Sequence, residues 1–160
     1  MRSFGSDNNS GVHPRVMEAI VGANSGHAVG YGDDAWTREA EDAVRELVGR
    51  EDIDPFFVFN GTGANVIALQ ACTLPFHHVI CAATAHIAVD ECGAPVKLTG
   101  CALKEIVVAD GKLTPEAVRP LLHGFGVEHH SQPKVIAISQ TTEMGTAYTP
   151  QEIRALADLA

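Results

Sequence analysis

No segment of this 160-residue sequence concentrates lysine or arginine, and acidic residues outnumber basic ones to a formal charge of −9. The electrostatic attraction that drives binding to nucleic acid or an anionic membrane is therefore missing, and neither is an expected partner. No apolar run approaches the length of a membrane span, and Met1-Arg2-Ser3-Phe4-Gly5-Ser6-Asp7 turns polar too early for a signal-peptide core. A soluble, cytoplasmic protein is the expectation. Short C-x-x-C pairs are also lacking: Cys72, Cys81, Cys92 and Cys101 stand nine to eleven residues apart, a spacing that fits no zinc site and reads as small buried residues. Repeats, low-complexity tracts and linkers are absent too. What is present, 46% hydrophobic and 19% charged residues, suits an ordinary globular chain with a real core.

Apolar periodicity and punctuation divide the chain into alternating elements. Pro14 opens a short amphipathic helix through Val16, Met17, Ile20 and Val21 that ends near Gly22. After a glycine-rich loop from Gly26 to Asp34, the spacing of Ala40, Ala43, Val44, Leu47 and Val48 predicts a helix over Trp36 to Val48. Phe56-Phe57-Val58-Phe59 has strand character, and Asn60-Gly61-Thr62-Gly63 turns it into a helix carrying Val66, Ile67, Leu69 and Ala71. Val79 to Ala82 and Val135 to Ile138 read as strands covered on both faces. Thr114-Pro115-Glu116 and Thr149-Pro150-Gln151-Glu152 mark helix starts, the second as a capping box, with Ile153, Leu156, Ala157 and Ala160 on one face beyond it. Strand runs alternating with helices indicate an α/β fold on a mainly parallel sheet.

Three places offer chemistry. Gly61 and Thr62 sit where a strand passes into a helix, so free N–H groups and the positive helix end favour a phosphate. A tight turn with unusual glycine angles at Gly61 and Gly63 and a capping Thr62 explains the same residues without a ligand. The segment also fits poorly to a dinucleotide fingerprint or a P-loop. His86 follows a strand, where loops at the carboxyl ends of parallel strands form the ligand crevice of open α/β sheets. Asp90 and Glu91 beyond it read as an acid pair or as a solvated helix start. Glu143, after the Val135 strand, reaches the same crevice or is an exposed turn acid. Ser6-Asp7-Asn8 and Gly30-Tyr31-Gly32-Asp33-Asp34 are, on physics alone, a polar terminus and a loop.

Taken in order, Ser6-Asp7-Asn8, Tyr31-Gly32-Asp33-Asp34, Asn60-Gly61-Thr62-Gly63-Ala64-Asn65, Ala85-His86 with Asp90-Glu91, Asp110-Gly111-Lys112-Leu113-Thr114 and Gln140-Thr141-Thr142-Glu143-Met144-Gly145 carry a resemblance to the threonine aldolase family, from Phe4 to about Leu156. That family belongs to the aspartate-aminotransferase-like, fold type I enzymes that use pyridoxal 5'-phosphate. The resemblance implies a three-layer α/β large domain with a mainly parallel sheet, of which residues 1–160 would supply the N-terminal segment and most of the first half. It implies that Gly61 and Thr62 bind the cofactor phosphate and that His86 stacks on its pyridine ring. It further implies that Ser6 contacts the substrate carboxylate and that the Tyr31 to Asp34 loop approaches an active site shared within a homotetramer.

The implied reaction cleaves L-threonine or L-allo-threonine to glycine and acetaldehyde, serving amino-acid metabolism and glycine supply. It needs a base for the β-hydroxyl proton, and His86, directly or through water, has the chemistry for it. Some relatives carry histidine where this chain has Glu143, which makes Glu143 the second candidate in that proton transfer. The family's Asp-Gly-Ala-Arg block and Schiff-base lysine fall beyond Ala160 in the pattern, and Lys97, Lys104, Lys112 and Lys134 match neither. The 160 residues alone are therefore expected to be inactive, and a parent of roughly twice this length is expected to be the enzyme. Two other functions remain open at this point: a different fold type I lyase that eliminates a β-substituent, and a non-catalytic phosphate-binding module.

Overall fold

The computed structural model describes residues 5–160, so the opening Met1 to Phe4 lies outside the described residues. The chain forms two compact units, one reaching to Phe57 and the other covering Val58–Ala160.

In the first unit a short 3-10 turn, Asp7–Asn9, precedes helix α1, Pro14–Ala23. His13 caps it by accepting the Arg15 N–H on Nδ1 at 3.2 Å, and Pro14 fills the first helical position, where a missing N–H costs nothing. Helix α2, Ala35–Val48, starts at Asp34, whose carboxylate accepts the Thr37 N–H at 2.8 Å and its hydroxyl at 2.7 Å. These bonds hold the Asp34 carboxyl below its ordinary pKa, chiefly through the Thr37 N–H. The helix ends at Gly49, which takes the left-handed conformation at φ 69° that favours glycine at this position. Neither helix contains a buried residue, so Val16, Met17 and Ile20 leave an apolar stripe open on α1.

The second unit is built on a three-stranded parallel sheet in the order β2-β1-β3. Strand β1 is His77–Ala82, β2 is Ala102–Ile106 and β3 is Gln132–Ile136. Helix α3, Gly61–Cys72, precedes β1, and α4, His86–Val89, and α5, Ala94–Thr99, join β1 to β2. Helix α6, Pro115–Val118, joins β2 to β3, and α7, Pro150–Ala157, closes the chain. Val79, Ile80, Cys81 and Ala82 of β1 pack with Leu69, Ile87, Leu113, Val118, Tyr148 and Leu156 in one buried cluster. This is the α/β architecture expected from the alternating runs. Both strands flanking the candidate residues run parallel, so β1 delivers His86, and β3 delivers Glu143, past their carboxyl ends.

Several expectations need correction. Phe56 to Phe59 joins no ladder among the described residues: Phe56 to Val58 has no regular structure, and Phe59 lies in a bend, fully exposed at 101%. An apolar run is a strand only when another strand satisfies its backbone. Strand β2 carries no continuous apolar run, because Lys104 and Glu105 lie exposed on a strand at the sheet edge, where charge blocks unwanted pairing. Cys81 and Cys101 are buried as expected, whereas Cys72 and Cys92 are exposed. Ala160 lies beyond the end of α7.

Candidate active site

The start of α3 is organised by Asn60, not by Thr62. The Asn60 side chain accepts the Gly63 N–H at 2.8 Å, and its carbonyl accepts the Ala64 N–H. Gly61 and Gly63 have ordinary negative φ, so the explanation of this segment as a strained glycine turn fails. The N–H groups of Gly61 and Thr62 have no acceptor among the described residues. They form the open positive end of a 12-residue helix. A Cβ on Gly61 would meet nothing within 4 Å, so the space beside this turn is free. An anionic oxygen fits the donors present, as the phosphate reading requires.

His86 opens α4 and holds two carboxylates by different parts of the residue. Its backbone N–H donates to Glu143 Oε1 at 2.9 Å. Its ring Nδ1 lies 2.8 Å from Glu91 Oε1. An ionised carboxylate only accepts, so Nδ1 carries the proton and Nε2 is the nitrogen left for other chemistry. The imidazole is 48% exposed while the Glu91 side chain is 0% exposed: the ring faces open space and its partner lies beneath it. The hydrogen bond that Nδ1–H donates to Glu91 raises the His86 pKa above the ordinary histidine value, assisted by the charges of Glu91, Asp90 and Glu143 and opposed by desolvation.

Glu91 is also the link to helix α3. Asn65, one turn into α3, donates from Nδ2 to the same Glu91 Oε1 at 2.6 Å. The chain Asn65–Glu91–His86 thus joins the helix that opens at Gly61 to the imidazole. The other carboxylate oxygen, Oε2, is buried without a hydrogen-bond partner among the described residues. Of the two acids that sequence reasoning left equivalent, Glu91 is buried at the site and Asp90 is exposed. Asn65 was visible only as part of a motif, since the spacing of helix and loop does not reveal a 26-residue contact.

Glu143 stands on a turn held by Thr142. The buried Thr142 hydroxyl accepts N–H groups from Met144 at 3.2 Å and Thr146 at 3.3 Å. The two threonine hydroxyls are 2.8 Å apart, and Thr146 Oγ1 donates to the Asp110 carbonyl at 2.7 Å. The turn after β2 and the turn after β3 therefore brace each other. Gln140 clamps Tyr148 by two bonds, 3.0 Å from its Nε2 and 2.8 Å to its Oε1. The Tyr148 hydroxyl accepts the Leu113 N–H at 2.7 Å. Glu143 is exposed; its Oε1 also receives a long 3.4 Å bond from Ser139 Oγ, and its Oε2 has no partner among the described residues.

Ser6 and Tyr31 belong to the first unit. Ser6 Oγ accepts the Asn8 N–H at 3.2 Å, and Tyr31 stands fully exposed with φ 65°, a rare backbone state for a bulky residue. Lys112, which lies near the Glu143 turn, is committed to Glu152 at 2.6 Å. None of Lys97, Lys104, Lys112 and Lys134 is bonded to His86, Glu91 or Glu143 among the described residues. The set present thus fits the phosphate and ring of a pyridoxal cofactor.

Comparison with known proteins follows the same line. Residues 3–160 match the profile of the family described as beta-eliminating lyase. The chain is 43% identical over 156 residues to the low specificity L-threonine aldolase of Pseudomonas aeruginosa, covering 97% of this chain and 45% of that protein. It is 42% identical over 156 residues to the low specificity L-threonine aldolase of a second Pseudomonas strain, with 97% and 45% covered. Among solved structures, the threonine aldolase of Leishmania major superposes with a TM-score of 0.89 at 34% identity, over 94% of this chain and 44% of that one. The chain accordingly spans less than half the length of these relatives.

Proposed function

The chain belongs to the beta-eliminating lyase family, whose members work with pyridoxal phosphate, and we propose that it forms the cofactor-phosphate half of a threonine-aldolase-type carbon–carbon lyase. The activity is proposed for the complete polypeptide that carries this chain, with L-threonine or L-allo-threonine as substrate and glycine and acetaldehyde as products. The 160 residues alone are proposed to be inactive. The observation that carries the reading is the Asn65–Glu91–His86 chain, which sets a half-exposed imidazole beside a helix with an open anion-binding end. The likeness to named threonine aldolases supports this reaction over others of the family.

In this reading the Gly61 and Thr62 N–H groups hold the cofactor phosphate, and the imidazole of His86 covers one face of its ring. The cofactor supplies, when bound, an electron sink for the pair released as the substrate Cα–Cβ bond breaks. His86 Nε2 takes the β-hydroxyl proton, since Nδ1–H is engaged by Glu91. Glu143 fixes the height of His86 through the backbone bond and offers Oε2 as a second proton acceptor. Ser6 receives the substrate carboxylate, and Tyr31 approaches the site of a neighbouring subunit in a homotetramer.

The test is product analysis on the complete polypeptide with pyridoxal phosphate. Acetaldehyde and glycine from L-threonine support the proposal. Pyruvate from serine or cysteine without acetaldehyde would make the protein a β-eliminating enzyme instead, and neither product would leave a phosphate-binding module.

A further inference from the structure

We propose that Glu91, clamped by Asn65, is the positioning residue that orders the His86 imidazole and ties it to the phosphate-binding helix. The proposal rests on the functional reading above, in which His86 Nε2 meets the substrate.

Three observations support it. Glu91 is buried to 0% side-chain exposure, an expensive place for a carboxylate unless its charge is used. Both donors that reach it converge on one oxygen: Asn65 Nδ2–H at 2.6 Å and His86 Nδ1–H at 2.8 Å. Oε2 has no partner among the described residues, so these two bonds are what offset the burial of the carboxylate.

The geometry has a directional consequence. A ring with one nitrogen bound below and the other in the open cannot flip without taking one of the two donors from Glu91, which leaves Asn65 as its remaining partner. Nε2 is thereby kept as the outward atom in both protonation states. Asn65 lies one turn beyond Gly61 and Thr62 on α3, so the carboxylate that orients the ring is indexed to the helix that holds the phosphate. A displacement of α3 moves the anion site and the imidazole together. The charged groups near His86 are Glu91 beneath the ring, Asp90 beside it and Glu143 at its backbone. Of these only Glu91 touches the ring.

The experiment is nitrogen NMR of the complete, cofactor-free protein labelled in histidine, with the His86 signals assigned by His86→Gln. In wild type, Nδ1 is expected to stay protonated through the whole titration. His86 is expected to titrate above the ordinary histidine range. In Glu91→Gln, checked for folding by circular dichroism, the titration moves down to that range and the neutral ring divides between tautomers. Asp90→Asn leaves the tautomer unchanged. A neutral wild-type ring protonated on Nε2 overturns the proposal without any variant, as does an unchanged His86 titration in Glu91→Gln. With cofactor and threonine, Glu91→Gln should lower kcat about tenfold or more and move the acidic limb of its pH profile to lower pH, with KM little changed. Wild-type protein that shows the NMR signature but releases no acetaldehyde refutes the aldolase reading and leaves the Glu91 assignment standing.

Discussion

The backbone N–H of His86 donates to Glu143 Oε1 at 2.9 Å, joining residues 57 positions apart in the chain. The bond crosses from the loop after β1 to the loop after β3, and it is the direct tie between the two acid–base candidates. Holding a backbone donor requires only an acceptor, whereas moving a proton requires a titratable group. Glu143→Gln separates these functions. It should keep the folding free energy while lowering kcat about tenfold or more. Glu143→Ala should also lose about 1 kcal/mol of stability. Urea titration and threonine kinetics on the same samples check both parts.

Asn60 separates helix capping from ligand charge in a similar way. Its side chain accepts the Gly63 N–H at 2.8 Å and leaves the first two N–H groups of α3 open. Asn60→Ala should cost about 1 kcal/mol. Asn60→Asp should retain the cap and the stability, yet bring a carboxylate to the edge of the proposed phosphate site. Spectroscopic titration with pyridoxal phosphate should then show weaker binding in Asn60→Asp than in wild type, despite equal melting temperatures.

Gly111 is a packing requirement for the Glu143 turn. Its φ is 76°, and a Cβ there would lie 3.0 Å from Met144 Cγ, 3.1 Å from Thr142 Oγ1 and 3.2 Å from Thr142 Cβ. The buried Thr142 cannot withdraw without losing its bonds to Met144 and Thr146. Gly111→Ala should therefore destabilise the protein by about 1–3 kcal/mol and lower activity through Glu143. A melting curve shifted to lower temperature with an unchanged rate per folded molecule would refute the second half of that expectation.

The parts of this arrangement that sequence reading reached share a physical property: they are local. Capping residues act within one turn, so Thr114 and the Thr149–Glu152 box are recognisable from spacing and recur in the structure. Apolar continuity marks β1, because both of its faces are covered. Strand β2 has no apolar signature since an edge position tolerates Lys104 and Glu105, and Phe56 to Phe59 has one without being a strand because β character is a property of partners as much as of residues. The site divides the same way. His86 and Glu143 were placed by following strands to their carboxyl ends, but Asn65 and Glu91 meet only through tertiary packing. Asp90 and Glu91 are chemically alike and adjacent; burial alone separates their roles.

The ion pair beneath the Glu143 turn makes an acid-side prediction. Lys112 Nζ lies 2.6 Å from Glu152 Oε1, and Thr149 donates its N–H to Oε2 at 2.7 Å. The bond to Lys112, with those to Thr149, lowers the Glu152 pKa from 4.5 to about 2. A depressed carboxylate pKa stabilises the fold above its unfolded value, and that contribution is lost as pH falls through the folded one. Glu152→Gln should therefore lower stability at neutral pH and flatten the decline of wild-type stability between 4.5 and about 2. Lys112→Met should narrow that window from below. Denaturation midpoints measured across acidic pH distinguish the three curves.

Strand β1 has buried side chains at every position from His78 to Ala82. A half-exposed strand that slips by one residue throws its apolar set into water and is corrected at once. A slip in β1 would mostly exchange one apolar side chain for another. Its axial position is instead set by its bonds to the neighbouring strands: among them, Ala83 N–H donates to the Ile106 carbonyl at 2.8 Å, Ala137 N–H to that of Ile80 at 2.8 Å, and Gln132 N–H to that of Phe76 at 3.0 Å. One residue of strand is about 3.3 Å of travel, enough to carry His86 beyond reach of Glu143 on the loop after β3. The strand thus acts as a gauge rod: the oily interior decides that it is inside, and the bonds to its neighbours decide how high the imidazole stands.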